Sequence, residues 1–493
     1  MLYQSTRGNS SASGTQAVLR GIAPDGGLYI DPGLAGRPFD VEACLALPPL
    51  GMAEVILSHL LPDFEDMGTL VRLAYCGKFD SDEPAPLVEV GDDYALELFH
   101  GPTSAFKDVA LSMLPRLMTA ARRQEGVTDK ILILTATSGD TGKAALEGFH
   151  DVPGTCVTVF YPKDGVSPVQ LAQMATQRGD NVRVCAVRGN FDDCQRGVKD
   201  AFSAINSRGC LDGKGLRLSS ANSINIGRLA PQVTYYFSAY AALLRRGAIK
   251  PGQAVDFVVP TGNFGDILAG YFAKLMGLPV GALVCASNAN RVLTDFIRTG
   301  VYDRRRDFIK TSSPSMDILV SSNLERLLFL ASGGDCALMR DCMDRLGRDG
   351  VYALSGAPLQ AIQSVFYADS CGERETAAAI ERVWRDNGYL CDTHTAVAFN
   401  VAEKYKAARG GGAPVVVLST ASPYKFPAAV LRAVGGDCAG DEFRQMETLE
   451  GLSGVPIPRG LSGLCGAKIR HRDCIGREDI LGYVLDTLDK TEG

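Results

Sequence analysis

Apolar runs rich in β-branched residues alternate with helix-like stretches along most of the chain. The runs predict short buried strands at residues 130–135, 155–161, 181–187, 254–259 and 414–418. Helical periodicity covers residues 110–123, 168–177, 228–245 and 266–276. Continuous apolar strands, each followed by a turn and a helix, are typical of parallel sheets with helices on both faces. The pattern predicts an α/β fold with at least two open sheets flanked by helices.

The first 95 residues follow a different pattern, with irregular spacing and turns at residues 24–27 (PDGG) and 48–49 (PP). This pattern indicates a separate N-terminal domain. Glycine-rich residues 408–413 (ARGGGA) are interpreted as a loop that enters a strand.

Composition narrows the class of protein. The chain has 493 residues, 46% hydrophobic and 22% charged, as expected for a globular protein of two or three domains. It has no basic block for nucleic acid and no window near the ~20 apolar residues of a membrane span. The 14 cysteines form no C-x-x-C pair and the five histidines no metal-binding spacing, so no metal is predicted. With a polar start and scattered thiols, we expect a cytoplasmic enzyme.

One loop places a single lysine at the start of an apolar helix. Residues 100–108 read HGPTSAFKD, and Lys107 follows Phe106 directly. A desolvated lysine has a lowered pKa, and its neutral amine can attack an aldehyde. Taken alone, the loop is equally consistent with a lysine that only packs at a helix start.

Two further loops are suited to binding anions. Residues 137–143 (TSGDTGK) offer hydroxyl and backbone N–H groups ahead of a helix. Thr137 and Ala144 stand where a Walker A motif needs Gly and Ser or Thr, which excludes an NTPase. In residues 260–266 (PTGNFGD), Gly262 and Gly265 allow close approach to a phosphate, and Asp266 is expected to cap the helix. The alternative for this loop is a plain strand–helix turn.

A fourth loop, residues 419–425 (STASPYK), carries hydroxyls at a predicted strand end. These hydroxyls fit either backbone caps or a hydrogen bond to a ring nitrogen of a cofactor.

Taken together, the loops resemble the fold type II pyridoxal-phosphate (PLP) enzymes, and the threonine synthase family in particular. Residues 99–108 are similar to its lysine motif, and residues 5–8 (STRG) and 21–29 (GIAPDGGLY) to its opening segment. Residues 137–143, 220–225 (SANSIN), 260–266 and 419–427 match in the same order. The resemblance covers most of the chain and favours the longer microbial and fungal branch.

The resemblance implies a fold like that of the tryptophan synthase β subunit and divides the chain into three regions. These are the N-terminal domain (1–95), a lysine and substrate-loop region (96–245) and a cofactor-phosphate region (246–493). It also implies PLP as cofactor and a lyase that acts on a phosphate ester. The reaction converts O-phospho-L-homoserine and water to L-threonine and phosphate, the last step of threonine biosynthesis.

The resemblance assigns roles to individual residues. Lys107 forms a Schiff base with the cofactor and then moves protons as general base and acid. The cofactor phosphate is bound by Gly262, Asn263, Phe264 and Gly265, and the pyridine nitrogen faces Thr420. The residues expected to bind substrate are Thr103, Ser138, Gly139, Asp140, Thr141, Gly142, Asn222, Asn225 and Arg228.

Within that set, Ser138, Gly139, Thr141 and Gly142 are expected at the substrate carboxylate. The carboxylate of Asp140 needs compensation, by Lys143 or by a shared proton. His394 is expected to make structural hydrogen bonds.

Several alternatives stay open at this point. Arg228 is the natural partner of the substrate phosphate, whereas Asn222 and Asn225 fit equally a role in shaping their loop. A related phospho-lyase or amino-acid dehydratase, which releases a 2-oxo acid, would share Lys107 and the glycine loop. A non-catalytic scaffold on the same fold is a third possibility, and both a monomer and a homodimer are compatible with the sequence.

Overall fold

The computed structural model describes residues 2–81, 83–137, 139–211, 213–410 and 412–489. The strands are β1 Tyr3–Ser5, β2 Ser11–Ala12, β3 Tyr29–Ile30, β4 Leu87–Val90, β5 Asp93–Glu97, β6 Lys130–Ala136, β7 Thr155–Pro162, β8 Val182–Val187, β9 Leu216–Ser219, β10 Val255–Pro260, β11 Val280–Ser287, β12 Val301–Asp303, β13 Val351–Ala353, β14 Phe366–Ser370, β15 Val415–Ser419 and β16 Asp473–Ile475.

The helices are α1 Gly14–Arg20, α2 Val41–Leu45, α3 Pro49–Leu60, α4 Met67–Tyr75, α5 Lys107–Gln124, α6 Asp140–Phe149, α7 Pro168–Ala175, α8 Phe191–Arg208, α9 Ile226–Leu229, α10 Val233–Arg245, α11 Gly265–Leu275, α12 Val292–Thr299, α13 Leu324–Ala331, α14 Cys336–Arg348, α15 Gly356–Val365, α16 Glu373–Asn387, α17 Thr393–Arg409, α18 Pro427–Ala433, α19 Glu442–Ser453, α20 Arg459–Ser462 and α21 Ile480–Asp489.

Two open sheets form the centre of the molecule. The larger has the order β14-β11-β10-β15-β5-β4, and the smaller has the order β16-β8-β7-β6-β9. All their neighbouring strands are parallel except β4 and β5. Every residue of β10 and β15 is buried, because helices cover both faces of the sheet. The predicted α/β class and the pair of open sheets are confirmed.

The N-terminal segment does not stay apart from the sheets. Strands β1, β2 and β3 make a small antiparallel sheet, but β4 and β5 join the larger sheet beside β15. At the other end of the chain, β16 pairs with β8 of the smaller sheet. Chain regions that are distant in sequence therefore share each sheet, and the division at residues 95 and 245 stays a prediction.

The helix predicted over residues 228–245 is interrupted in the structure. Helix α9 ends at Leu229, a 3-10 turn covers Ala230–Gln232, and α10 begins at Val233. Pro231 has no N–H to donate to the preceding turn, which accounts for the break. Among the described residues, no helix is long and apolar enough to cross a membrane.

Three loops meet because β10, β15 and β5 are neighbours in the larger sheet. Their carboxyl ends carry the glycine loop, the loop of Thr420 and the loop of Lys107. Phe106 N donates to Thr420 O at 2.8 Å, and Ser422 N donates to Ser104 O at 3.1 Å. These hydrogen bonds tie the lysine loop to the Thr420 loop at the edge where ligands bind in open α/β sheets.

Candidate active site

Lys107 is the first residue of α5, and its side chain is buried. Its Nζ lies 4.6 Å from the centre of the Phe106 ring and donates to Ser315 Oγ at 3.3 Å. Burial lowers the pKa of Lys107 to about 8, although the nearby carboxylate of Asp140 acts in the opposite direction. The desolvated lysine expected from the sequence is therefore present, and its lowered pKa makes the neutral amine more available than in an exposed lysine.

The carboxylate of Asp140 is compensated by a lysine that the sequence did not single out for this role. Lys425 Nζ lies 2.8 Å from Asp140 Oδ1, and Lys107 Nζ lies 3.7 Å from Oδ2. Burial by itself raises the pKa of Asp140, but these two ammonium groups hold it far below its usual range. The expectation that Lys143 compensates Asp140 is wrong, because Lys143 Nζ pairs with Glu147 at 2.9 Å.

The backbone of the glycine loop presents free amide groups. Among the described residues, the N–H groups of Gly262, Asn263, Phe264 and Gly265 have no hydrogen-bond acceptor. The loop carbonyls, in contrast, are held: Gly262 O accepts from Ser321 Oγ at 2.9 Å, and Asn263 O accepts from Asn323 N at 3.1 Å. Free amides at the start of α11 make an anion-binding site.

Phe264 gives this loop its shape at some conformational cost. Its φ is +63°, in the left-handed region that a bulky residue seldom adopts. Its buried ring packs against Phe366 with the ring centres 5.6 Å apart. This packing holds the strained backbone immediately before α11.

Gly262 and Gly265 differ in the space around them. A Cβ at Gly262 would lie 2.6 Å from the carbonyl oxygen of Ser315, which is closer than real contacts allow. A Cβ at Gly265 would find its nearest neighbour, Asn323 Nδ2, at 3.4 Å. Only Gly262 is therefore required by the protein's own packing.

Asp266 does not cap α11 as the sequence led us to expect. Its carboxylate accepts hydrogen bonds from the hydroxyls of Tyr235 and of Tyr236, the latter at 3.2 Å. Burial raises the pKa of Asp266 to about 6, against the effect of the two tyrosine hydrogen bonds. The residue at the N-cap position is Phe264, which makes no side-chain cap.

In the loop ahead of α6, two backbone N–H groups already bond to a threonine of the same loop. Thr137 Oγ1 accepts from the N–H groups of Gly139 at 3.0 Å and Gly142 at 2.9 Å. A Cβ at Gly142 would collide with the side chain of Thr137, so this glycine serves close packing. Thr141 is half-buried in the first turn of α6. Ser138 lies outside the described residues.

Thr103 makes hydrogen bonds within the lysine loop and to Lys425. Its hydroxyl donates to Asp108 Oδ1 at 2.5 Å, and its carbonyl accepts from Lys425 Nζ at 2.9 Å. Thr420 is buried, and its hydroxyl makes no hydrogen bond with the described residues. Of these two threonines, Thr420 is the one with a hydroxyl free for a ligand.

Arg228 is a buried cation without a carboxylate among the described residues. Its Nη1 donates to Ala221 O at 2.8 Å, and burial lowers the pKa of its guanidinium to about 10. The positive charge of Arg228 also lowers the pKa of Lys107, because two nearby cations repel each other. A buried, unpaired cation is costly and is typical of an anion-binding site.

The two asparagines of the neighbouring loop differ from each other. Asn225 is fully buried, and its side chain bonds to Val18 O and Ser220 O, each at 2.9 Å, and to Gly227 N. These contacts match the role of shaping the loop. The side chain of Asn222 is exposed.

Sequence reasoning missed Ser315, which lies between Lys107, Asp140 and His394. Ser315 Oγ donates to Asp140 Oδ2 at 3.2 Å, and Ser315 N donates to His394 Nε2 at 3.1 Å. Ser315 belongs to a short 3-10 turn, Pro314–Met316, with no glycine or strand end to draw attention to it. His394 does make the structural hydrogen bonds that were expected, through Asp392 as well.

Two family models match the chain. Residues 94–421 match the model described as pyridoxal-phosphate dependent enzyme, and residues 395–458 match the C-terminal domain of threonine synthase. The threonine synthase of Pseudomonas aeruginosa is 40% identical over 88% of this chain and 90% of its own. The chain belongs to the threonine synthase family.

Solved structures of the threonine synthase family agree with this assignment. PLP-bound threonine synthase from Brucella melitensis superposes with a TM-score of 0.87 at 40% identity, covering 100% of this chain and 99% of that one. Threonine synthase from yeast gives a TM-score of 0.86 at 34% identity, with 99% of both chains covered. Human threonine synthase-like 1 is 39% identical over 85% of this chain, which spans only 58% of that protein.

The cofactor of this threonine synthase family member is PLP, and the residues present fit it. The free amides at residues 262–265 suit a phosphate dianion, and the buried amine of Lys107 suits an aldehyde. Thr420 offers a neutral hydroxyl for a ring nitrogen. Within the described part of the chain, no cluster of His, Cys, Asp or Glu could hold a metal ion.

Proposed function

We propose that the chain is a threonine synthase that converts O-phospho-L-homoserine and water to L-threonine and phosphate. The observation that carries the proposal is a buried lysine with its pKa lowered to about 8 beside a loop of free amides. The similarity to threonine synthases over nearly the whole chain supports the same reaction. Threonine biosynthesis in the cytoplasm is the corresponding cellular role.

Lys107 performs the covalent and proton-transfer chemistry in this proposal. When bound, PLP supplies an aldehyde for amines and takes up the electron pair left when the substrate Cα loses a proton. The neutral amine of Lys107 would hold the cofactor through that aldehyde, and the same amine, once the substrate had displaced it, would move protons at the substrate Cα and Cβ. Asp140 and Lys425 form a fixed ion pair beside it, so Lys107 is the lysine left to react.

The two phosphates of the complex are assigned to different groups. Gly262, Asn263, Phe264 and Gly265 bind the cofactor phosphate through their amides. Arg228 binds the phosphate of the substrate, because its guanidinium is buried and has no carboxylate partner among the described residues. Thr141, in the first turn of α6, receives the substrate carboxylate, whereas the N–H groups of Gly139 and Gly142 already bond to Thr137 Oγ1.

The regions 1–95, 96–245 and 246–493 keep their proposed roles as N-terminal domain, lysine and substrate-loop region, and cofactor-phosphate region. The support is the position of the loops: Lys107 and Arg228 come from the second region, and the glycine loop and Thr420 from the third. The N-terminal region contributes β4 and most of β5 to the larger sheet.

The test is an absorbance titration with PLP followed by product analysis with O-phospho-L-homoserine. We expect equal amounts of phosphate and threonine. Phosphate with 2-oxobutyrate would instead establish the phospho-lyase alternative, and no turnover with PLP bound would favour a scaffold. Lys107→Ala should abolish turnover and borohydride trapping of PLP, whereas Lys143→Ala, the matched control, should retain trapping because Lys143 is paired with Glu147.

A further inference from the structure

The hydroxyl of Ser315 lies between the two ionisable groups that flank the reactive lysine. Oγ accepts a hydrogen bond from Lys107 Nζ at 3.3 Å and donates one to Asp140 Oδ2 at 3.2 Å. A serine hydroxyl has one proton to donate. Because the carboxylate of Asp140 receives that proton, the lone pairs of Oγ are directed to the amine of Lys107.

A histidine fixes the backbone of Ser315. The backbone N–H of Ser315 is an obligatory donor, so His394 Nε2, 3.1 Å away, must be an acceptor. The proton of the neutral imidazole then lies on Nδ1, which donates to Asp392 Oδ2 at 2.6 Å. Both His394 and Asp392 are buried. Asp392 thereby selects the neutral tautomer of His394 whose Nε2 can accept the N–H of Ser315.

A second set of contacts fixes the same turn from its other end. Asp317 Oδ1 accepts from Asn288 Nδ2 at 2.8 Å and from Thr311 Oγ1 at 2.7 Å. Asp317 Oδ2 accepts from Thr311 N at 3.0 Å. The turn is thus held on both sides of Ser315, and its hydroxyl has a defined position relative to Lys107.

We propose that Ser315 is a further catalytic residue, whose hydroxyl holds the reacting amine of Lys107 in place, and that His394 and Asp392 are positioning residues that act through it. This inference rests on the proposed function, since it requires Lys107 to be the lysine that binds PLP. Without Oγ, the ammonium form of Lys107 loses an acceptor and keeps, among the described residues, the Asp140 carboxylate at 3.7 Å and the ring of Phe106.

The experiment measures the reactivity of Lys107 in the apoprotein as a function of pH. Added PLP is trapped with borohydride, and the labelled peptide is quantified. Ser315→Ala removes Oγ but keeps the N–H bonded to His394 and the carbonyl beside Gly262. We expect the pH midpoint of labelling to fall by about one unit, because a hydrogen bond to a charged group shifts a protonation equilibrium about tenfold.

Two further variants separate the hydroxyl from the turn that carries it. Ser315→Thr restores a hydroxyl and should return the midpoint to that of the wild type. Ser313→Ala removes a hydroxyl two positions away, whose Oγ accepts a hydrogen bond from Asn288 Nδ2 at 3.1 Å. This variant should leave the pH midpoint of labelling unchanged. An unchanged midpoint in Ser315→Ala, in protein with wild-type circular dichroism, would overturn the role of Ser315.

The positioning role is tested by His394→Phe, which keeps a ring against Phe426 but cannot accept the N–H of Ser315. The pH midpoint of labelling should shift as it does in Ser315→Ala. The double variant, which combines His394→Phe with Ser315→Ala, should show no further shift. Additive shifts would overturn the role of His394. Lys107→Ala distinguishes this inference from the proposed function. If labelling persists in Lys107→Ala, both are overturned. If labelling is lost in Lys107→Ala but is normal in Ser315→Ala, only the role of Ser315 is overturned.

Discussion

Lys425 forms a buried ion pair with Asp140, in which Nζ lies 2.8 Å from Oδ1 and neither side chain is more than 4% exposed. The pair comes from two different sheets, since Asp140 follows β6 and Lys425 follows β15. It therefore fixes the loop ahead of α6 against the loops that carry Lys107 and Thr420. It also holds the pKa of the Asp140 carboxylate well below its usual range, against the effect of burial, which raises it.

Lys425→Met is expected to destabilise the apoprotein by about 3–5 kcal/mol, because it leaves a buried carboxylate without its nearest cation. Urea denaturation at neutral pH measures this loss. Adding Asp140→Asn should recover most of it, since the double variant no longer contains the carboxylate that Lys425→Met leaves without its nearest cation. A double variant as unstable as Lys425→Met would show that packing, and not charge, accounts for the effect.

The uptake of PLP by the apoprotein is expected to depend on the protonation of Lys107. With its pKa lowered to about 8, the rate should rise about tenfold per pH unit below this value and level off above it. Stopped-flow absorbance measures the rate. A rate that keeps rising beyond pH 10 would indicate an ordinary exposed lysine.

The same pKa predicts how the stability of the apoprotein changes with pH. The folded pKa of about 8 lies below the ordinary 10.5, so the unfolded chain binds more protons between these values. Stability should therefore rise with pH across this window. Lys107→Met should remove that part of the rise and stabilise the apoprotein at pH 7 by about 3 kcal/mol. A pH dependence of stability identical to that of the wild type would contradict this account.

Gly262→Ala should weaken PLP binding about tenfold or more, because the new Cβ must displace the carbonyl of Ser315. Gly265→Ala is the matched control and should change the affinity much less, since its Cβ meets only ordinary contacts. Gly262→Asp should be worse than Gly262→Ala, because its carboxylate also repels the phosphate. Fluorescence titration gives the three affinities, and equal losses at both glycines would argue against this explanation.

Arg228→Ala should leave the absorbance of bound PLP unchanged and lower kcat/KM for phosphohomoserine about ten- to a hundredfold. The reason is the loss of a charge-assisted contact to the substrate phosphate. An unphosphorylated amino acid such as serine, if accepted, should be affected little. Equal losses on both substrates would point to structural damage and would remove Arg228 from the site.

The sequence by itself determined the fold class and the strands that bear the site. The continuous apolar runs at residues 130–135 and 254–259 became β6 Lys130–Ala136 and β10 Val255–Pro260, because strands buried on both faces leave a strong local signal. Glycine-containing loops after such strands also have a local signal. These loops, together with their resemblance to a known family, identified Lys107 and residues 262–265 as candidates.

Only the tertiary structure decided which charges and hydroxyls meet. Lys425 and not Lys143 faces Asp140, Asp266 faces two tyrosines instead of capping α11, and Ser315 reaches Lys107 across 208 positions of the chain. No periodicity or motif records such contacts, since each depends on where separate loops are placed at a sheet edge. Hydrophobic pattern fixes elements locally, whereas electrostatic partners depend on distances that exist only once the sheets have packed.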